Sequence, residues 1–166
     1  TSAESKFGGG SLHLPTGSSS ARAQVKNGGI SLNVSYTVSA WFKNLSPKDR
    51  YRTLTRGKNF DHHVTIGGGN DNLGFYANGR GDFRDSGFDM PAGNYQGTWH
   101  HIVAAAEAGS TKFYVDGVFR GTGDRVAAGG IFYIGNVPWS TNPQPFAEYI
   151  DDLRVYGSAL SGSQVA

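Results

Sequence analysis

The sequence has no cysteine, no long apolar run and no cluster of like charges. Without cysteine there is neither a disulfide framework nor a thiolate metal site, and the absence says nothing about compartment. No apolar run reaches the length of a bilayer span, and no charged-then-apolar leader is recognisable. The net charge is +2 and the basic residues are scattered, so neither nucleic acid nor membrane insertion is expected.

The length predicts one domain. A chain of 166 residues can build one hydrophobic core and is too short for two. The sequence starts at Thr1 without a methionine. We therefore expect a single domain over residues 1–166, excised from a larger secreted protein whose other domains are its partners.

Glycine and aromatic residues are what the sequence does contain, with 25 glycines and 13% aromatics. Short apolar runs alternate with turn signals, and no amphipathic helix of useful length appears before the tail, where "SALSGSQVA" could begin a short one. In "VSYTVSAWFK" the alternation predicts a strand with Val34, Tyr36, Val38, Ala40 and Phe42 on one face. Asp116-Gly117 predicts a hairpin with a type I′ turn. The pattern indicates an all-β, antiparallel β-sandwich.

Four blocks resemble one family: "KFGGGSLHL", "YTVSAWFK", "GTWHHIVAAAEAGSTKFYVDG" and "YIDDLRVYGSALS". In this order they are similar to the laminin-G-like, concanavalin A-like jelly-roll domains of secreted multidomain proteins. The resemblance implies a jelly roll that binds glycans or other proteins. The same scaffold also carries glycoside hydrolases and polysaccharide lyases, so function must be argued from the site.

Four of the five histidines form two adjacent pairs, His62-His63 and His100-His101. Neighbours in a strand face opposite ways, so neither pair can chelate one ion, although a site assembled across strands stays open. The alternation groups His62 with Val64 and His63 with Thr65. The resemblance implies structural hydrogen bonding for His101. We expect His62 and His63, in or beside a loop, to be free to contact a ligand.

Catalysis is not favoured by the residues present. Retaining β-glucanases of this fold carry Glu-x-Asp-x-x-Glu, which sets two carboxylates about 5 Å apart. Here Glu4, Glu107 and Glu148 are the only glutamates, and none begins that motif. A lyase, or a hydrolase with a pair from separate strands, stays an alternative, as does an adhesion module using the Arg-Gly-Asp tripeptide at 80–82.

Calcium is the one metal that the resemblance implies, and no cofactor is expected to be required. Many relatives hold a structural calcium between an early loop and an aspartate that matches Asp151. The early loop here, "PTGSSSARAQV", has serines where relatives carry carboxylates, although backbone carbonyls also ligate calcium. The competing interpretation is a salt bridge from Asp151 or Asp152 to Arg154 or to an arginine of a neighbouring strand.

Three loops combine aromatic with polar side chains, as a glycan site requires. They are "RGKNFDHH", "YANGRGDFRDSGFD" and "NVPWSTNPQPF". The predicted ligand-binding residues are Trp139, Arg80, Arg84, Tyr76, Asn59, His62, His63 and Phe88. Their arginines favour an acidic polysaccharide, because guanidinium pairs with carboxylate or sulfate. The sequence therefore predicts a secreted, non-catalytic, lectin-like carbohydrate-binding module.

Overall fold

The computed structural model describes residues 4–15, 21–47, 50–138 and 141–166, which form two six-stranded sheets. The strands are β1 (Leu12–His13), β2 (Ala23–Gln24), β3 (Tyr36–Leu45), β4 (Arg52–Arg56), β5 (His62–Ile66), β6 (Asn72–Ala77), β7 (Asp82–Asp89), β8 (Trp99–Glu107), β9 (Ser110–Val115), β10 (Val118–Gly123), β11 (Tyr133–Ile134) and β12 (Ala147–Tyr156). The first sheet has the order β1-β12-β3-β8-β9-β10 and the second β2-β11-β4-β5-β6-β7. All pairs of neighbouring strands are antiparallel, which confirms the predicted β-sandwich.

The core lies between the two sheets. In β3 the predicted face is confirmed, since Tyr36, Val38, Ala40 and Phe42 are fully buried. Val34 is an exception, because it precedes the strand and is 89% exposed. The second sheet contributes its own apolar side chains to the same core, namely Leu54, Val64, Ile66, Leu73 and Phe75.

A tight hairpin and a short C-terminal helix accompany the two sheets. Asp116 and Gly117 both have positive φ (52° and 76°), so the predicted type I′ hairpin between β9 and β10 is confirmed. The tail forms a one-turn helix, α1 (Gly162–Val165), which covers Val103 and Tyr114 on the outer face of the first sheet. Within the described ranges no helix is long and apolar enough to cross a membrane.

The two sheets meet at one edge, where β10 approaches β7. Gly121 has a φ of 141°, and a Cβ atom there would collide with the carbonyl oxygen of Ser86. Only glycine fits this contact, because it tolerates both the backbone angle and the close approach.

Strand β5 has an irregularity between His62 and Thr65 that changes which way its histidines face. Thr53 Oγ1 lies 2.8 Å from His62 Nδ1 and 3.2 Å from Thr65 Oγ1, so His62 shares the outward side of Thr65. His63 points inward with Val64 instead. The predicted alternation was wrong here, because a bulge inserts an extra residue and shifts the parity.

Candidate functional site

A row of large side chains crosses five strands on the outer face of the second sheet. The row follows the register Tyr133, Arg56, His62, Tyr76 and Phe83 from β11 to β7. Directly opposite residues of antiparallel strands share one face, so these side chains line up. Four inter-strand steps give the row a length of about 19 Å. It is long enough to follow an extended ligand.

Three aromatic rings at the β7 end form what we call the aromatic platform: Tyr51, Tyr76 and Phe83. The Tyr51 ring lies 5.4 Å from Tyr76 and 5.7 Å from Phe83, and all three are half-buried. Phe83 rests on two glycines, since a Cβ atom on Gly67 or Gly74 would lie 3.1 or 2.9 Å from its ring. The glycines therefore allow the ring to lie close against the sheet.

Four polar side chains beside the platform form a hydrogen-bonded relay. Arg56 Nε donates to His62 Nε2 at 3.0 Å, and His62 Nδ1 lies 2.8 Å from Thr53 Oγ1. Thr53 Oγ1 is in turn 2.7 Å from Gln144 Oε1. We refer to Arg56, His62, Thr53 and Gln144 as the relay.

His62 is only 4% exposed, which corrects the expectation that it is free in a loop. Burial, and then the neighbouring Arg56 and His63, lower the pKa of His62 to about 3. The imidazole is therefore neutral at physiological pH. His62 lies next to Tyr76, another predicted ligand-binding residue, with 5.6 Å between their ring centroids.

His63 is fully buried, so the expectation of a freely accessible side chain was wrong. Its Nε2 lies 2.8 Å from the carbonyl oxygen of Gly129, and its ring packs edge-on against Tyr36. Burial lowers the pKa of His63. These contacts give it a structural role in the core.

The loop after β11 leaves the sheet beside the relay. The side-chain oxygen of Asn136 accepts hydrogen bonds from the backbone N–H groups of Val137 (2.8 Å) and Gln144 (2.6 Å). The carbonyl oxygen of Gln144 accepts from Thr53 N at 2.9 Å, which ties the end of the loop to β4. Trp139, the aromatic residue predicted from this loop, lies outside the described residues, and its role stays a prediction.

The loop residues predicted around β6 and β7 do not all join the row. Arg80 is exposed in the β6–β7 turn. Arg84 forms ion pairs with Asp82 and with Asp124 (3.3 Å). Its guanidinium is therefore engaged within the protein, where the sequence suggested a ligand contact.

Two further predicted residues also lie apart from the row. Phe88 packs against the core, with the Arg120 guanidinium 4.7 Å from its ring centroid. It is half-buried between these partners and not presented as a stacking surface. Asn59 is exposed in the β4–β5 loop next to Phe60, which is 54% exposed. This loop follows Arg56, so Asn59 flanks the row.

Asp151, the predicted calcium ligand, has backbone partners for both carboxylate oxygens. One oxygen accepts from Lys6 N (2.8 Å) and Phe7 N (2.9 Å), and the other from Asp152 N (2.7 Å). Asp152 pairs with Arg154 at 2.9 Å, which confirms the salt-bridge interpretation for that residue. Over residues 4–15, 21–47, 50–138 and 141–166, no group of three acidic or histidine side chains is placed to hold a metal. Calcium at Asp151 stays a prediction.

The second histidine pair lies on the first sheet and faces opposite sides, as predicted. His100 contacts the core residue Phe42 and hydrogen-bonds Asp116 at 2.8 Å. His101 hydrogen-bonds Ser39 at 2.8 Å and stacks on Trp41, on the outer face. The structural hydrogen bonding expected of His101 is confirmed.

A cleft of about 240 Å³ opens on that outer face, beside Trp41 and Arg154. Trp41 is stacked by His101 on one side, with centroids 4.9 Å apart. The Lys6 ammonium lies 4.1 Å from its ring centroid. Because His101 and Lys6 already contact the Trp41 ring, this cleft offers less stacking surface than the aromatic platform.

Comparison with solved structures finds the same fold in several proteins, two of which were solved with a bound oligosaccharide. Domain 4 of AbnA, a GH43 extracellular arabinanase from Geobacillus stearothermophilus solved with arabinotriose, is 27% identical with a TM-score of 0.60, covering 87% of this chain and 78% of that one. The CBM40 of the Ruminococcus gnavus IT-sialidase, bound to α2,3-sialyllactose, is 15% identical with a TM-score of 0.57, covering 87% and 94%. A SAP-like pentraxin from Limulus polyphemus is 17% identical with a TM-score of 0.56, covering 87% and 77%.

No curated protein matches the chain. The family model described as the concanavalin A-like lectin/glucanases superfamily matches residues 16–166, which is nearly the whole chain. The motifs, the two antiparallel sheets and this match agree. The chain belongs to the concanavalin A-like lectin/glucanase superfamily.

Proposed function

We propose that the protein is a non-catalytic carbohydrate-binding module whose ligand lies along the row on the second sheet. The observation that carries the proposal is the alignment of Tyr133, Arg56, His62, Tyr76 and Phe83 across five strands. A sugar ring stacks its apolar face on an aromatic ring and offers its hydroxyl groups to polar side chains. The platform and the relay supply these two features side by side.

The ligand class follows from the site and from one relative. Domain 4 of AbnA, at 27% identity, was solved with arabinotriose, so an arabino-oligosaccharide is the first ligand to test. That domain is part of an extracellular arabinanase, which supports a secreted module attached to a larger carbohydrate-active protein. An acidic glycan is the second candidate, because the Arg22 guanidinium lies 5.6 Å from the Tyr133 ring at one end of the row.

The carboxylate of Asp85, two residues after Phe83 in β7, is engaged by neighbouring side chains. Asp85 Oδ2 accepts hydrogen bonds from the side-chain amides of Asn70 (2.9 Å) and Asn72 (2.7 Å). A glycosidase needs a pair of carboxyl groups at its site, whereas none of the five residues of the row carries one. The Arg-Gly-Asp alternative gains no support from the site, since Arg84 engages Asp82.

Calorimetric titration with a panel of neutral and uronate-containing oligosaccharides, arabinotriose included, tests the proposal. We expect binding without new reducing or unsaturated ends. Tyr76→Ala and Phe83→Ala should each weaken binding about tenfold, because each removes a stacking ring. Phe119→Ala is the matched control, since Phe119 is 53% exposed on the first sheet. Product formation, or equal weakening by the control, would contradict the proposal.

A further inference from the structure

The relay has a direction that starts at Arg56. A guanidinium group only donates hydrogen bonds, so His62 Nε2 must be the accepting nitrogen. A neutral imidazole carries its hydrogen on the other nitrogen, and burial beside Arg56 and His63 keeps His62 neutral. His62 Nδ1–H therefore donates to Thr53 Oγ1 at 2.8 Å.

The hydrogen of the Thr53 hydroxyl has two candidate acceptors. Thr65 Oγ1 is 3.2 Å away and donates its own hydrogen to the carbonyl oxygen of Arg52 at 2.8 Å. Gln144 Oε1 is 2.7 Å away, which is the ordinary O–H···O separation. Thr53 therefore donates to Gln144, whose oxygen faces inward.

The amide NH₂ group of Gln144 is left on the outward side. The backbone of Gln144 is fixed at both ends, because its N–H donates to Asn136 and its C=O accepts from Thr53. Gln144 is 6% exposed, and its Nε2 has no hydrogen-bond partner in the described part of the chain. An unpaired amide donor is thus held on the outward side of the sheet, with its orientation set by the Thr53 hydroxyl.

We propose that the relay makes Gln144 a specificity-determining residue, whose fixed NH₂ group donates to an acceptor oxygen of the bound glycan. The inference rests on the proposed function and deepens it. Ring and glycosidic oxygens accept hydrogen bonds and never donate them, so only the outward NH₂ orientation can bind them. Thr53 and His62 act as positioning residues, since Thr53 hydrogen-bonds Gln144 and His62 hydrogen-bonds Thr53.

The orientation is tested first in the free protein. Nitrogen NMR of the histidine rings should show His62 with hydrogen on Nδ1 and a bare Nε2. Thr53→Val removes the hydroxyl and should change the His62 Nδ1 signal and broaden the Gln144 NH₂ pair, while Thr53→Ser should restore both. A hydrogen on Nε2, or a Thr53→Val spectrum equal to wild type, would overturn the relay whatever the ligand.

The donor role is tested by calorimetry with arabinotriose and with the panel member that binds wild type most tightly. Gln144→Glu keeps the oxygen that accepts from Thr53 and loses the NH₂ group, so affinity should fall about tenfold or more. Gln164→Glu in α1 is the matched control and should match wild type. Equal affinity of both variants overturns the role of Gln144. If wild type binds no glycan, the proposed function and the donor role fail together, while the NMR result still decides the relay.

Discussion

The buried histidine of the relay makes the stability of the domain depend on pH in a way that one substitution should remove. The pKa of His62 is about 3 in the folded protein and about 6.5 in an unfolded chain. Between these pH values the unfolded chain binds the proton while the folded protein does not. The contribution of the neutral His62 to the free energy of unfolding is therefore fully present above pH 6.5 and is lost as the pH falls towards 3. Each pH unit in this window costs about 1.4 kcal/mol, so lowering the pH from 6.5 to 4 should cost roughly 3 kcal/mol.

The variant for this experiment is His62→Gln, because glutamine can accept from Arg56 and donate to Thr53 without titrating. Urea unfolding of both proteins at pH 7 and pH 4 gives two free-energy differences. The wild type should lose roughly 3 kcal/mol more than His62→Gln on acidification. His63 and the carboxylates are present in both proteins, so their contributions cancel to first order. If the two proteins lose the same free energy of unfolding between pH 7 and pH 4, then His62 is already protonated in the folded protein, or the His62 side chain does not take up a proton in the unfolded chain.

Three further predictions concern other parts of the molecule. Gly121→Ala should lower the free energy of unfolding by about 1–3 kcal/mol or more, since the added Cβ meets the Ser86 carbonyl at a strained backbone angle; an unchanged urea midpoint would contradict the tight β7–β10 contact. Asp71→Ala should cost about 3–5 kcal/mol, because it removes a buried carboxylate that pairs with the buried Arg52; a loss below 1 kcal/mol, measured by the same unfolding, would refute this. If Asp151 binds calcium, millimolar calcium should raise the Tm of wild type and leave Asp151→Asn unchanged; no rise in wild type sinks the idea.

The sequence was sufficient for the fold because local patterns and sheet geometry agree over most strands. In β3 every second residue is apolar, and these side chains do fill the core. The Asp116-Gly117 pair requires positive φ at both positions, and both have it. Such signals depend only on neighbouring residues, so they can be recognised without knowing the partner strands.

The site was harder to predict because it depends on pairing between distant strands. The bulge in β5 reverses the sides of His62 and His63, and no residue in that stretch marks it. Tyr51 and Gln144 were missed, although both join the surface through β4. The loop-by-loop view found Tyr76 and His62 but could not show that they are neighbours in one row. The sequence did contain a signal for this site, namely the aromatic and polar residues on the outward side of the strands rather than in the loops.

The hydrogen bonds of Asn136 have a consequence for how such a module could diversify. One side-chain oxygen joins Val137 to Gln144 and holds together the two ends of the loop between them. We therefore expect that the residues between Val137 and Gln144 can be exchanged while the sheet and the amide group of Gln144 stay in place. A library randomised at these positions should alter which glycan is preferred and leave the folding of the domain intact.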